Sequence, residues 1–190
     1  METVVSRISI PFLTGALLTF MFVFHGSNSQ IFMIDQSGIA IVYLRENYAT
    51  KTTDFAMKIM SELGDKALLG GSVFFAVHWL GKIEALTVMS AFTLSTTSLG
   101  MLKLYFIEPR PFFLNPNIHP STCKDLEYGF PSGHTTVTAC TYLTLLFCIS
   151  QKWAFLNESK VLQVLSVVLL ACVLVVIGFS RLFLGVHSID

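Results

Sequence analysis

The sequence predicts an all-α, polytopic membrane helix bundle, and three observations carry that expectation. Of the 190 residues, 53% are hydrophobic and only 13% are charged. The mean hydropathy, +0.68, lies well above that of an ordinary soluble domain. Helix-length apolar runs recur along the chain, divided by polar or proline-bearing stretches. One domain's worth of chain is present. The formal net charge of zero gives no basis for binding nucleic acid, which is not expected as a partner.

The elements follow in order. Residues 8–24 are the first apolar run, 17 residues long and at the short limit for a span. Arg7 precedes it, but no small-x-small cleavage site follows, which favours a retained helix over a signal peptide. Residues 31–44 are apolar but interrupted by Asp35, Gln36, Ser37 and Gly38, and read as an interfacial or re-entrant segment. Residues 52–63 set Phe55, Ile59 and Leu63 on one face, opposite Asp54, Lys58 and Glu62. That pattern predicts an amphipathic helix along the membrane surface. Residues 67–80 make an apolar run of 14, ambiguous on length.

Residues 85–107 form a convincing span of 23, which Pro109 should end by disfavouring helical backbone at Glu108. A loop over 112–130, rich in proline, follows. Residues 135–149 are the next span, with Trp153 as an interfacial anchor, and residues 161–179 are 19 nearly unbroken apolar residues. Two regions are expected: 1–66, with the first membrane helix and the surface segments, and 67–190, the membrane core. Cys140, Cys148 and Cys172 sit in apolar runs and Cys123 stands in a polar loop, so no disulfide framework is implied.

Three polar stretches remain, each at an apolar boundary. They are Lys103 to Pro111 (Lys-x6-Arg-Pro), Pro131-Ser132-Gly133-His134, and Ser180-Arg181-x5-His187. Alternating the helices across a bilayer brings all three to one side. The second stretch opens a helix, whose unpaired N–H groups and dipole favour an anion. Singly, Lys103 reads as a snorkelling lysine, Arg110 and Arg181 as interfacial anchors, and each histidine as a satisfied surface residue. Together they suggest a phosphate pocket: fixed cations at Lys103, Arg110 and Arg181, donors from Ser132 and the Gly133 N–H, and two imidazoles that titrate near neutrality.

In this order and spacing the stretches resemble the three signatures of the type 2 phosphatidic acid phosphatase superfamily, over residues 67–190. That superfamily takes in lipid phosphate, sphingosine phosphate and polyprenyl diphosphate phosphatases, with glucose-6-phosphatase as a relative. The resemblance implies a six-helix membrane fold with no metal or other cofactor. It makes His187 the nucleophile of a phosphohistidine intermediate and His134 the acid for the leaving oxygen. The third signature ordinarily runs His-x3-Asp; here Asp190 stands one position early, as a neighbouring carboxylate for His187. The sixth helix should follow that point, so the chain is expected to be incomplete at its C-terminus.

Two classes of function are left open. One is an integral membrane phosphatase acting on phosphate monoesters or diphosphates of lipids or prenols, or on a sugar phosphate as glucose-6-phosphatase does. The other is an inactive or phosphate-binding relative. Expected partners are the lipid or prenyl phosphate and the membrane lipids, and the oligomeric state is not legible. The expected location is the endoplasmic reticulum or plasma membrane, with the site on the luminal or exterior face. Asn157-Glu158-Ser159, the one glycosylation sequon, would then lie on the opposite side.

Overall fold

The computed structural model describes residues 27–120, 127–153 and 158–187. The run at 8–24, Cys123, Asn157 and Asp190 lie outside them. Every regular element among the described residues is helical: α1 Ser27–Tyr48, α2 Lys51–Glu62, α3 Lys66–Phe75, a π-helical turn Ala76–Leu80, α4 Lys82–Phe106, α5 Pro111–Leu114, α6 Gly133–Lys152 and α7 Lys160–Phe183.

One expectation needs revising. Residues 31–44, read as an interfacial or re-entrant segment, lie within a continuous 22-residue helix, α1, which removes the re-entrant alternative. Asp35 to Gly38 lower helix propensity, but tertiary packing overrides so weak a preference. Ser37 and Ile41, one turn apart, are both fully buried, and α1 packs against α7.

The capping chemistry sets the next two elements. Thr50 and Thr53 make a reciprocal capping box at the start of α2: the Thr53 N–H donates to Thr50 Oγ1 at 3.1 Å and the Thr50 N–H to Thr53 Oγ1 at 2.7 Å. Asp65 caps α3 by accepting from the Ala67 N–H at 2.8 Å. Phe55 and Ile59 stay exposed on α2, while Ser61 turns inward and α2 packs against α7. The short run at 67–80 ends in the π-helical turn and a break at Gly81. Lys152, from the last turn of α6, donates to the carbonyls of Trp79 and Leu80 there.

Helices α4 and α7 are long and apolar enough to cross a bilayer. Their outward faces carry exposed Ile83, Leu86, Leu94 and Met101 on α4, and Val161, Val164, Leu165, Val168 and Leu169 on α7. Helix α6 lies inside the bundle, packed against α3, α4 and α7. Its buried face runs Val137, Thr138, Thr141, Thr144, Cys148, spaced by three and four residues from Thr138 onward. The threonines make it less apolar than the two helices beside it. Cys148 joins Ala76, Leu80, Ala85 and Val88 in a core at the end of the bundle away from the charged stretches.

Candidate active site

Each charged stretch is delivered by the way a helix stops or starts. Helix α4 ends at Phe106, with Ile107 in the left-handed region (φ 50°) and its N–H bonded to the Lys103 carbonyl. The chain then leaves through Glu108 and Pro109, as the proline requires. Helix α7 stops in a Schellman motif: the Val186 N–H reaches the Arg181 carbonyl at 3.2 Å and the Gly185 N–H the Leu182 carbonyl at 2.9 Å. Gly185 holds φ 73°, which a residue with a Cβ would adopt under strain. This sharp turn swings His187 back into the protein, where it is buried. Helix α6 opens at Gly133 with Ser132 as N-cap, whose side chain makes no capping bond. The N–H groups of the first turn point out of the helix end.

The first and third stretches are stitched together by Arg110, which is 2% exposed. Its Nε donates to the Glu127 carbonyl at 2.7 Å and an Nη to the Val186 carbonyl at 3.0 Å. Lys103 is buried on the inner side of α4, and its Nζ bonds Glu127 Oε2 at 2.7 Å. Arg181, also buried, donates to Ser61 Oγ on α2 at 3.1 Å. The lead into Pro131 is pinned as well. The Gly129 N–H bonds the Glu108 carbonyl at 2.7 Å, and the rings of Phe106 and Phe130 meet edge to face at 4.9 Å. A Cβ at Gly129 would come within 3.2 Å of the Pro109 carbonyl oxygen and 3.4 Å of that of Glu108, so only glycine fits this approach without displacement.

His187 is the electrostatic focus of the cluster. Burial pushes its pKa well below the ordinary imidazole value, and the charges of Arg181, Arg110 and Lys103 push it the same way. A hydrogen bond to the Gly129 backbone acts in the opposite direction and orients the ring. These causes favour the neutral imidazole, with one nitrogen tied to backbone.

Lys103, Arg110, Arg181 and His187, up to 84 positions apart in sequence, are near enough for the three charges to act on the imidazole. Ser132, Gly133 and His134 stand at the head of α6. Gly133 abuts Leu99 of α4, where a Cβ would lie 3.1 Å from Leu99 Cδ2, and the turn after α2 presses on the His134 backbone. Asp190 lies outside the described residues. Three participants were not foreseen: Glu127, Gly129 and Ser61. Glu127 is the one with a sequence signal, as an acid four residues before Pro131 in a loop otherwise closing on aromatic and glycine residues.

Residues 84–190, more than half of the chain, match the family model described as the PAP2 superfamily. The chain belongs to the PAP2 superfamily. It is 28% identical over 119 residues to phosphatidylglycerophosphatase B of Bacillus subtilis, covering 63% of this chain and 52% of that protein. It is 32% identical over 131 residues to a dihydrosphingosine 1-phosphate phosphatase of Schizosaccharomyces pombe, covering 64% of this chain and 31% of the relative. The chain therefore spans about half the length of the first relative and about a third of the second. Its fold matches the crystal structure of a transmembrane PAP2-type phosphatidylglycerolphosphate phosphatase from Bacillus subtilis. The TM-score is 0.65 at 20% identity, over 100% of this chain and 86% of that one. The likeness establishes the fold of this PAP2 protein as that of a multi-pass membrane helix bundle.

Proposed function

We propose that the chain is a membrane phosphatase that hydrolyses phosphate monoesters or diphosphates of lipids or prenols without a metal, through a phosphohistidine. The observation that carries this reading is the buried set of three cations around a neutral His187. Charge in phosphoryl transfer spreads over three oxygens, and Lys103, Arg110 and Arg181 meet it with fixed positive groups whose cost of organisation is met on folding. The two curated relatives are both named for phosphate esters of lipids, and the exposed apolar flanks of α4 and α7 leave a lipid substrate's chains room beside the site.

In the proposed cycle a ring nitrogen of His187 attacks phosphorus as the bond from phosphorus to the ester oxygen breaks. Protonated His134 gives its proton to that oxygen and the alcohol leaves. Water then attacks the phosphohistidine, the P–N bond breaks, and His134 takes the water's proton, which returns both histidines to their starting states. The N–H groups at the head of α6 would hold phosphate oxygens, with Ser132 beside them.

The test is release of inorganic phosphate from lipid phosphates by the detergent-purified protein in excess chelator, followed across pH. Turnover should persist without divalent metal. The nucleophile must be neutral, and its folded-state pKa is lowered. The acid limb of kcat/KM should therefore fall below the usual imidazole value of about 6.5, with activity kept as pH drops from 7 to that point. Strict dependence on magnesium would overturn the metal-free reading; an acid limb above about 6.5 that does not move with the substrate's own phosphate pKa would remove His187 from the role of nucleophile.

A further inference from the structure

We propose that the Glu127 carboxylate competes with the substrate phosphate for Lys103, and so sets the affinity of the site for anions. The inference rests on the phosphate-site reading above. It starts from an asymmetry within one ion pair. The Lys103 and Glu127 side chains meet at 2.7 Å, but the lysine side chain is 10% exposed and the glutamate 65%. The cation is fixed in the bundle and the anion reaches in from solvent.

The backbone beneath Glu127 is held separately. Arg110 Nε binds the Glu127 carbonyl at 2.7 Å, and two residues on the Gly129 N–H is bonded to the Glu108 carbonyl. The side chain can thus swing from Lys103 into solvent while its main chain and the Arg110 clamp stay in place. Lys103 is the first cation of the phosphate set, so a carboxylate oxygen on its Nζ stands where a phosphate oxygen would bind. A carboxylate and a phosphate oxygen make the same charge-assisted bond to an ammonium group, and a single Nζ at the end of a buried stem must divide its donors between them. The Lys103 hydrogen bond and charge hold the Glu127 carboxyl below the ordinary range, with Lys66 and Arg110 adding to the effect, so the competitor stays ionised at neutral pH. Glu127 therefore weakens phosphate binding and, by the same step, speeds release of the phosphate product.

Calorimetric titration of inorganic phosphate into the purified chain at low salt tests this. Glu127→Gln keeps an oxygen acceptor for Lys103 but removes the charge, and Glu127→Ala removes both. Both should bind phosphate about two- to fivefold more tightly than the parent, the range set by a largely exposed ion pair. In a Lys103→Met background the Glu127→Gln gain should vanish, since the competition is for that ammonium group. If the parent binds phosphate and neither Glu127 variant binds it more tightly, the proposal falls while the phosphate site stands. A gain that survives in Lys103→Met would also overturn it, because the effect would then come from general repulsion. A parent chain that binds no phosphate removes the site reading and the proposal with it.

Discussion

His187→Ala is expected to abolish phosphoenzyme formation and to lower turnover by about 10⁴-fold or more with every substrate. Alanine removes outright a buried imidazole whose ring is oriented by the Gly129 backbone and whose neutral state is favoured by burial and three cations. His134→Ala should behave differently. Protonating the leaving oxygen matters most when that oxygen is basic, so the loss should reach about 10²- to 10⁴-fold with an alkyl phosphate. With an aryl ester such as nitrophenyl phosphate it should be clearly smaller. Labelled phosphate trapped by a rapid quench without acid should map to His187, survive base and be lost in acid. Equal losses for both variants on both substrates, or label on His134, would reverse the assigned roles.

The roles of the two histidines follow from the family resemblance; the clustering of the charged stretches was accessible from the sequence because helix ends are legible. Pro109 stops α4 just after Lys103, Pro131 and Ser132 precede α6, and Gly185 closes α7 just before His187, so each charged stretch falls at the same end of alternating helices. Alternating the apolar runs across a bilayer then puts Lys103, Arg110, Arg181 and His187 on one side before any distance is known. The partners that fix their geometry leave no such trace. Arg110 is held by the carbonyls of Glu127 and Val186, and any residue carries a carbonyl. The ion pair from Lys103 to Glu127 joins residues 24 positions apart, and Arg181 meets Ser61 across 120. No periodic pattern links residues that far apart.

Helix α1 was misjudged for a related reason. Ser37 reads as a polar interruption, yet it is fully buried one turn from Ile41, in a helix that packs against α7. Polarity along the sequence identified the break that propensity would favour; packing decided that the helix runs through it.

Arg110 supplies the second large effect, on stability as well as activity. Its hydrogen bonds to the Glu127 and Val186 carbonyls join the end of α4, the lead into α6 and the turn after α7 through one 2%-exposed side chain. Hydrogen bonds to a charged group contribute about 1.5–3 kcal/mol each, and removing the donor leaves acceptors unsatisfied inside the protein. Arg110→Ala should therefore cost on the order of 3 kcal/mol or more in denaturant unfolding monitored in detergent. Arg110→Lys separates structure from chemistry. A lysine keeps the charge but cannot span two carbonyls and present a planar fork to phosphate as well. The protein should remain folded, with part of the stability loss, while kcat/KM falls about 10²- to 10³-fold. Inorganic phosphate affinity should fall alongside, which a purely structural role for Arg110 would not require in a folded variant. Activity within about twofold of the parent in Arg110→Lys would mean that this guanidinium braces the turn after α7 and takes no share of the phosphate charge.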